Sequence, residues 1–325
     1  MQTTTAKGAG DKAAAAPPPR FFKLVPNDLK IDYLRLRWWT LGISWVVIGL
    51  GIAAYLVRGL SFGIDFTGGT LIQVQVQEAA DIGAMRATLD AANLGSFTLQ
   101  ALGGSGGQEY LIVLGAVANP TGGKGEGLAQ RVEVLLKKQY PSLTLRRVES
   151  VGPKVGEELK QVAFNSVIWA LGAILIYIWV RFEWRYSVGA VVATLHDVLI
   201  VTAAFVLTQK EITLTVVAAI LTIAGFSVND TVVVFDRMRE NSRRFRKTSM
   251  YDNINDSINQ TLSRTVLTSG TVFIVVIVMF FAGGEILHDF AFAMLIGVVV
   301  GTYSSIFQAA PVMFMLHRWF PPKVK

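Results

Sequence analysis

Residues 225–241 read "GFSVNDTVVVFDRMREN". An Asn and an Asp interrupt a run that is otherwise apolar enough to lie in hydrocarbon, and the run ends in a burst of charge. A carboxylate at the centre of a membrane helix costs about 2.5–3.5 kcal/mol on insertion scales, so Asp230 needs a reason to be there. Around it, Thr215, Thr222, Asn229 and Asp236 recur every seven residues, which sets them on one slowly drifting stripe of a helix. Asp230 lies beside that stripe, with Ser227 one turn earlier.

The window holding Asp230, Ile212 to Phe235, is one of six that approach or exceed the roughly 20 apolar residues a bilayer crossing requires. The others are Trp38 to Leu56, Val162 to Val180, Ser187 to Leu207, Thr265 to Gly283 and Phe290 to Leu316. The 325-residue chain is 52% hydrophobic with a mean hydropathy of +0.47, which is too apolar for an ordinary soluble protein. The fold expected is therefore a polytopic α-helical membrane protein with six transmembrane helices.

The net charge of +7 is distributed by topology. Seven Lys or Arg precede the first span, Arg181 and Arg185 separate the second from the third, and six more crowd Arg237 to Lys247. The links "TQKE" and "AGGEILHD" hold one and none. Alternate loops are basic, which is the positive-inside pattern and puts both termini in the cytoplasm. Nucleic acid is not needed to explain the charge. With no cysteine there is no disulfide or thiolate site, and the spacing of His196, His288 and His317 does not suit a metal cluster.

The chain then divides into a cytoplasmic tail 1–37, disordered to about residue 20, a first span 38–58 and an extracytoplasmic domain 59–160. Spans two to six follow over 161–316 with a basic cytoplasmic loop at 237–262, and 317–325 forms a cytoplasmic C-terminus. The domain reads as strand "TLIQVQV", helix "AADIGAMRATLDAAN", strands "FTLQALG" and "EYLIVLG", helix "GLAQRVEVLLKKQY" and strand "LTLRRVES". That order predicts an α+β ferredoxin-like (βαββαβ) domain between helices one and two. The clusters "GGSGGQ" and "TGGKGEG" lack P-loop and dinucleotide spacing and read as flexible loops, so no nucleotide hydrolysis and no enzymatic centre is expected. In "SFGIDFTGGT", residues 61–70, Asp65, Gly68 and Gly69 read either as a tight turn at the membrane surface or as a coupling hinge.

Other spans carry polar or small faces too. Gly189, Ala193, His196 and Asp197 share one face of the third span, and Thr261, Arg264, Thr265, Thr268 and Thr271 one face of the fifth. Ala293, Gly297, Gly301 and Ser305 stand four apart in the sixth, a ladder that lets helices pack backbone to backbone. Arg264 is the base best placed to meet Asp230. Burial disfavours the charged form of a carboxyl and a guanidinium favours it, so such a pair can act as a proton switch. A static ion pair that only holds helices together is the alternative.

Four stretches in this order resemble the SecD/SecF family of protein-export membrane proteins, in the resistance-nodulation-division superfamily. They are "FGIDFTGGT" after the first span, "HD" in the third, "GFSVNDTVVVFDRMREN" ending the fourth and "NQTLSRTVLTSGT" opening the fifth, and the resemblance covers about residues 21–320. It implies an auxiliary subunit of the Sec translocase in the bacterial cytoplasmic membrane, paired with SecD into a twelve-span complex. Its further partners would be the SecYEG channel, YajC and the translocating unfolded preprotein, with membrane lipid around it. It implies use of the proton motive force to draw the secreted chain outward, with H+ as the coupling ion and no bound cofactor. Asp230 and Arg264 are then the residues tied to proton passage, completed by an aspartate of SecD, with Asn229, His196 and Asp197 as accessory neighbours. This chain holds one six-span half, so its partner must come from another chain. Two other readings stay open: half of a proton-driven small-molecule efflux transporter, and a non-conducting scaffold.

Overall fold

A computed structural model describes residues 30–77, 80–102, 108–115, 125–245 and 247–321. The tail expected to be disordered, and the parts of the two glycine clusters before Gln108 and Gly125, lie outside the described residues.

The chain enters through a single 3-10 turn, Leu34–Leu36, and continues as α1 (Arg37–Arg58), a short α2 (Ile64–Thr67) and β1 (Gly69–Val76). Next come α3 (Ile82–Ala91), β2 (Phe97–Leu102), β3 (Gln108–Gly115), α4 (Gly125–Lys137) and β4 (Thr144–Val151). The four strands form an antiparallel sheet in the order β2-β3-β1-β4. Alternate residues of β3, Tyr110, Ile112 and Leu114, point inward and pack with Ile72 and Val74 of β1 against Met85 and Leu89 of α3 and Val132 and Leu136 of α4. This is a closed apolar core of its own.

The junction into β1 is squeezed. Gly68 and Gly69 take φ of 71° and 142°, a region L side chains rarely adopt. A Cβ on Gly69 would stand 2.4 Å from the Leu114 carbonyl oxygen, and one on Gly68 2.8 Å from the Cα of Pro153.

Five long segments follow: α5 (Pro153–Arg181), α6 (Trp184–Thr208), α7 (Leu214–Arg244), α8 (Met250–Ala282) and α9 (Gly284–Ser304), the last running through a π turn (Ser305–Ala309) into α10 (Ala310–Trp319). Together with the first helix they make six candidate membrane spans, bounded as Leu34–Arg58, Pro153–Arg181, Trp184–Thr208, Leu214–Arg244, Met250–Ala282 and Ile286–Trp319. The helices outrun the hydropathy windows. Residues 237–262, expected as a loop, are taken up by the end of α7 and the start of α8, joined through 245–249. Hydropathy stops at the first charges, whereas backbone hydrogen bonding continues until a cap such as Ser249, whose side chain accepts the Asp252 N–H. The π turn precedes Pro311, which has no N–H to return to the carbonyl four residues back.

The α6, α7 and α9 segments form the centre, each with about half of its apolar window buried, while α1, α5 and α8 are mostly exposed. Two apolar clusters fill the bundle. One gathers Phe182, Phe235, Met238, Ile254, Ile258 and Met313. The other gathers Phe66, Phe205, Val216, Ile220, Ala291 and Met294 toward the sheet domain. The small-residue ladder packs as its spacing requires: Gly297 lies against Ile223 and Gly301 against Ser227, both on α7.

Candidate functional site

Asp230 is the seventeenth residue of the 31-residue α7, so it stands near the middle of the longest central helix. It is 2% exposed. Helical periodicity turns it inward because Ser227, Val234 and Met238, at spacings of three and four, all face the core. Its Oδ2 accepts from the Ser269 hydroxyl of α8 at 3.2 Å, and Ser269 Oγ in turn accepts from Thr302 Oγ1 of α9 at 2.7 Å. One carboxyl is thus tied to two neighbouring helices through two hydroxyls.

Arg264 is placed differently. Its side chain is on the exposed face of α8, and among the described residues it makes no ion pair with Asp230. The seven-residue stripe of Thr215, Thr222, Asn229 and Asp236 is exposed along its whole length, and so are Thr268 and Thr271 of α8. A polar face in the middle of two membrane helices therefore stands open, one residue away from the buried Asp230.

His196 and Asp197 form a second polar node. Asp197 is fully buried; its Oδ1 lies 2.9 Å from His196 Nδ1, and its Oδ2 accepts from Ser227 Oγ at 2.5 Å and Ser304 Oγ at 2.7 Å. His196 Nε2 has no hydrogen-bond partner among the described residues. No direct hydrogen bond among the described residues joins the two carboxyls, but they share helices. Ser227 precedes Asp230 on α7, and Ser304 follows Thr302 on α9. The two nodes make one polar layer between the two apolar clusters.

Asp65, Gly68 and Gly69 sit at the opposite end from the termini. The Asp65 carboxylate accepts the backbone N–H of Leu214, the first residue of α7, at 2.9 Å. Gly63 and Ile212 bond through their backbones, and so do Ile212 and Ser61. The segment therefore grips the helix that carries Asp230.

Sequence reasoning missed Ser269, Thr302 and Ser304. The signal for Ser269 is its four-residue spacing from Thr265 and Thr261, all three buried, whereas the broader face drawn through Arg264 and Thr268 mixes buried and exposed positions. It also missed Ser44 and Gln308, where Gln308 Nε2 donates to Ser44 Oγ at 2.7 Å and fastens the π turn to α1.

Residues 131–319 match the family model described as protein export membrane protein SecD/SecF, C-terminal, and residues 56–80 match the SecD/SecF GG motif. The chain is 41% identical over 299 residues to the protein translocase subunit SecF of Desulfurispirillum indicum, covering 91% of this chain and 95% of that protein. It is 39% identical to the protein translocase subunit SecDF of Brucella abortus, covering 91% of this chain and 38% of that one. The crystal structure of SecDF, a translocon-associated membrane protein from Thermus thermophilus, superposes with a TM-score of 0.81 at 31% identity, covering 92% of this chain and 40% of that chain.

Proposed function

The chain belongs to the SecD/SecF family of protein-export membrane proteins, as an auxiliary subunit of the Sec protein translocase, and on that premise we propose that it couples proton passage at Asp230 to the movement of a secreted chain. The observation that carries the reading is Asp230 itself, buried at mid-helix, held by a rotatable hydroxyl and one residue from an open polar face. A hydroxyl donates to a carboxylate and accepts from a carboxylic acid, so the Ser269–Thr302 pair can follow either protonation state without leaving a buried group unpaired. A proton crossing the membrane releases about 2.3 kcal/mol per 100 mV, comparable to the gap between two arrangements of a bistable bundle.

The open stripe of α7 and α8 is the surface for a second six-helix half, supplied by SecD. SecDF proteins, of which this chain spans 38% and 40% in the two matched, support that pairing. Arg264 on this face approaches Asp230 when the halves close or shift. The βαββαβ order and the sheet order support a ferredoxin-like domain. The basic loops support placing both termini in the bacterial cytoplasm, the spans in the inner membrane and the sheet domain outside it. There it would meet the unfolded preprotein leaving the SecYEG channel, with YajC as a further neighbour.

A scaffold role, with Asp230 serving only as a hydrogen-bond acceptor, rests on the Ser269 bond. Asp230→Asn separates the two, because asparagine still accepts from Ser269 but cannot cycle a proton. Export of a secreted precursor is measured in cells lacking the native protein, with the membrane potential intact and collapsed. Loss of the potential-dependent part in Asp230→Asn and Arg264→Met supports coupling; normal export in both variants establishes the scaffold.

A further inference from the structure

At the end of the bundle that bears both termini, the ends of α5, α6, α7 and α10 enclose a cavity of about 540 Å³. Its lining brings the apolar Val180, Phe182, Met250 and Met313 together with Arg181, Arg185, Arg239 and Arg243, and of the apolar four Val180 is the open one, at 85% exposed. Among the described residues Glu183 is its one acid. A second cavity of about 700 Å³ adjoins it, sharing Arg181, Arg239 and Arg243 and lined also by Arg244, Asp236 and Glu240, with Arg181 3.4 Å from Asp236.

Arg185 sets this place apart from a merely basic loop. It is 7% exposed at the start of α6, its Nη1 donates to Glu183 at 2.9 Å, and its Nε has no hydrogen-bond partner among the described residues. Positive-inside topology asks for exposed arginines and gives no reason to bury one. A buried guanidinium donor left without an acceptor is costly, so the site is built for an oxygen that comes from outside the chain. Trp184 and Trp319, 40% and 68% exposed, flank the same end of the bundle, the latter beside Phe320, whose ring meets that of Trp184. Indole rings so placed mark headgroup depth in a bilayer.

We infer that this cavity is a binding site for the phosphate of an anionic phospholipid, with the glycerol and first methylenes against the exposed Val180 and the half-buried Met250 and the phosphate oxygens on Arg185 and its neighbours. Exposed apolar and cationic side chains lining one cavity at headgroup depth match an amphiphile. A soluble anion would use only half of it. Bound lipid would tie the α5–α6 turn to the far end of α7, the helix that carries Asp230.

The test uses the full chain in detergent, with lipids retained on the protein counted by native mass spectrometry. Phosphatidylglycerol is expected to be retained in preference to phosphatidylcholine. Arg181→Gln/Arg243→Gln, both at exposed positions, is expected to weaken retention by about fivefold per arginine removed. Arg185→Lys keeps the charge but lacks the Nε donor, and is expected to lose the preference with its unfolding temperature in lipid-free detergent unchanged. Equal retention of the two lipids, or full retention by the double variant, overturns the inference. Inorganic phosphate that displaces phosphatidylglycerol identifies phosphate as the group recognised. Phosphate that raises the unfolding temperature of a chain retaining no phosphatidylglycerol overturns the lipid assignment.

Discussion

The Asp65 side chain accepts the backbone N–H of Leu214 at 2.9 Å, so a residue just before the sheet domain closes the first turn of the helix that carries Asp230. The first N–H groups of a helix have no internal acceptor, and a carboxylate there also meets the positive end of the helix dipole. On the other side, the same short α2 is pinned by Gly68 against Pro153 and by Gly69 against Leu114. The segment therefore touches α7 and α5 together. Asp65→Ala is expected to cost about 1 kcal/mol of stability and to slow export, with Asp65→Asn restoring most of both because it keeps the acceptor. Thermal unfolding in detergent and precursor export in cells measure the two effects, and unchanged export in a folded Asp65→Ala protein would reduce α2 to a simple turn.

Ser269 and Thr302 should matter in proportion to their distance from the carboxyl. Ser269→Ala removes the donor to a buried acid, at a cost of about 1–3 kcal/mol, and should sharply lower potential-dependent export. Thr302→Val removes only the next link, since Thr302 also donates to the Val298 carbonyl, and should have the smaller effect on both readouts. Equal defects, or a larger one in Thr302→Val, would argue that the hydroxyl chain does not lead to Asp230.

The parts of this molecule that were legible in the sequence are those governed by local periodicity. The strands of the sheet domain emerge from alternation in "TLIQVQV" and "EYLIVLG", and Asp230 from the cost of a carboxyl within an apolar run. Helix ends were less legible, since capping at Ser249 and the continuation of α7 to Arg244 depend on backbone bonding that hydropathy does not register. The partners of Asp230 were hidden for another reason. Arg264 attracts attention as the base best placed on a neighbouring span, yet among the described residues the contact is made by a hydroxyl, and which of several Ser and Thr faces inward is decided by packing between three helices. The exposed stripe could be seen as a stripe, but only the structure shows that this chain leaves it uncovered.

Asp197 should behave as a structural node. It receives two hydroxyl donors and faces His196, so Asp197→Ala strands several buried polar groups at once and is expected to destabilise by about 3 kcal/mol or more. Asp197→Asn keeps an acceptor for Ser227 or Ser304 and should lose less. A protein with Asp197→Asn that folds with an unchanged unfolding temperature but loses export would instead move this aspartate into the coupling machinery.

Close helix packing gives a test independent of charge. A Cβ on Gly297 would stand 2.3 Å from Ile223 Cδ1, whereas among the described residues no neighbouring element comes within 4 Å of the same position on Gly172. Gly297→Val is expected to cost about 1–3 kcal/mol by forcing α9 from α7. Gly172→Ala, in the exposed α5, is expected to stabilise by up to about 1 kcal/mol through helix propensity. Unfolding temperatures in one detergent decide it, and a neutral Gly297→Val would contradict the α7–α9 contact.

Glu211, in the link between α6 and α7, supplies a pH prediction. Burial pushes its carboxyl above the usual 4.5, and the nearby negative charges of Asp289 and Asp65 push the same way. Lys210 is engaged with Asp289 at 2.7 Å and 3.4 Å from His288, which leaves that acid only partly offset. A carboxyl whose pKa is raised by folding holds its proton longer in the folded chain than in the unfolded one. The folded state then binds more protons across that interval, so stability falls as pH rises from the usual glutamate value through the raised one. Wild type is expected to lose unfolding temperature on going from pH 4.5 toward neutrality, and Glu211→Gln to show a flatter profile with its gain confined to the upper part of that range. A variant whose profile parallels the wild type at every pH would show that Glu211 ionises freely beside α7, and that the acids around the Asp65 cap do not strain it.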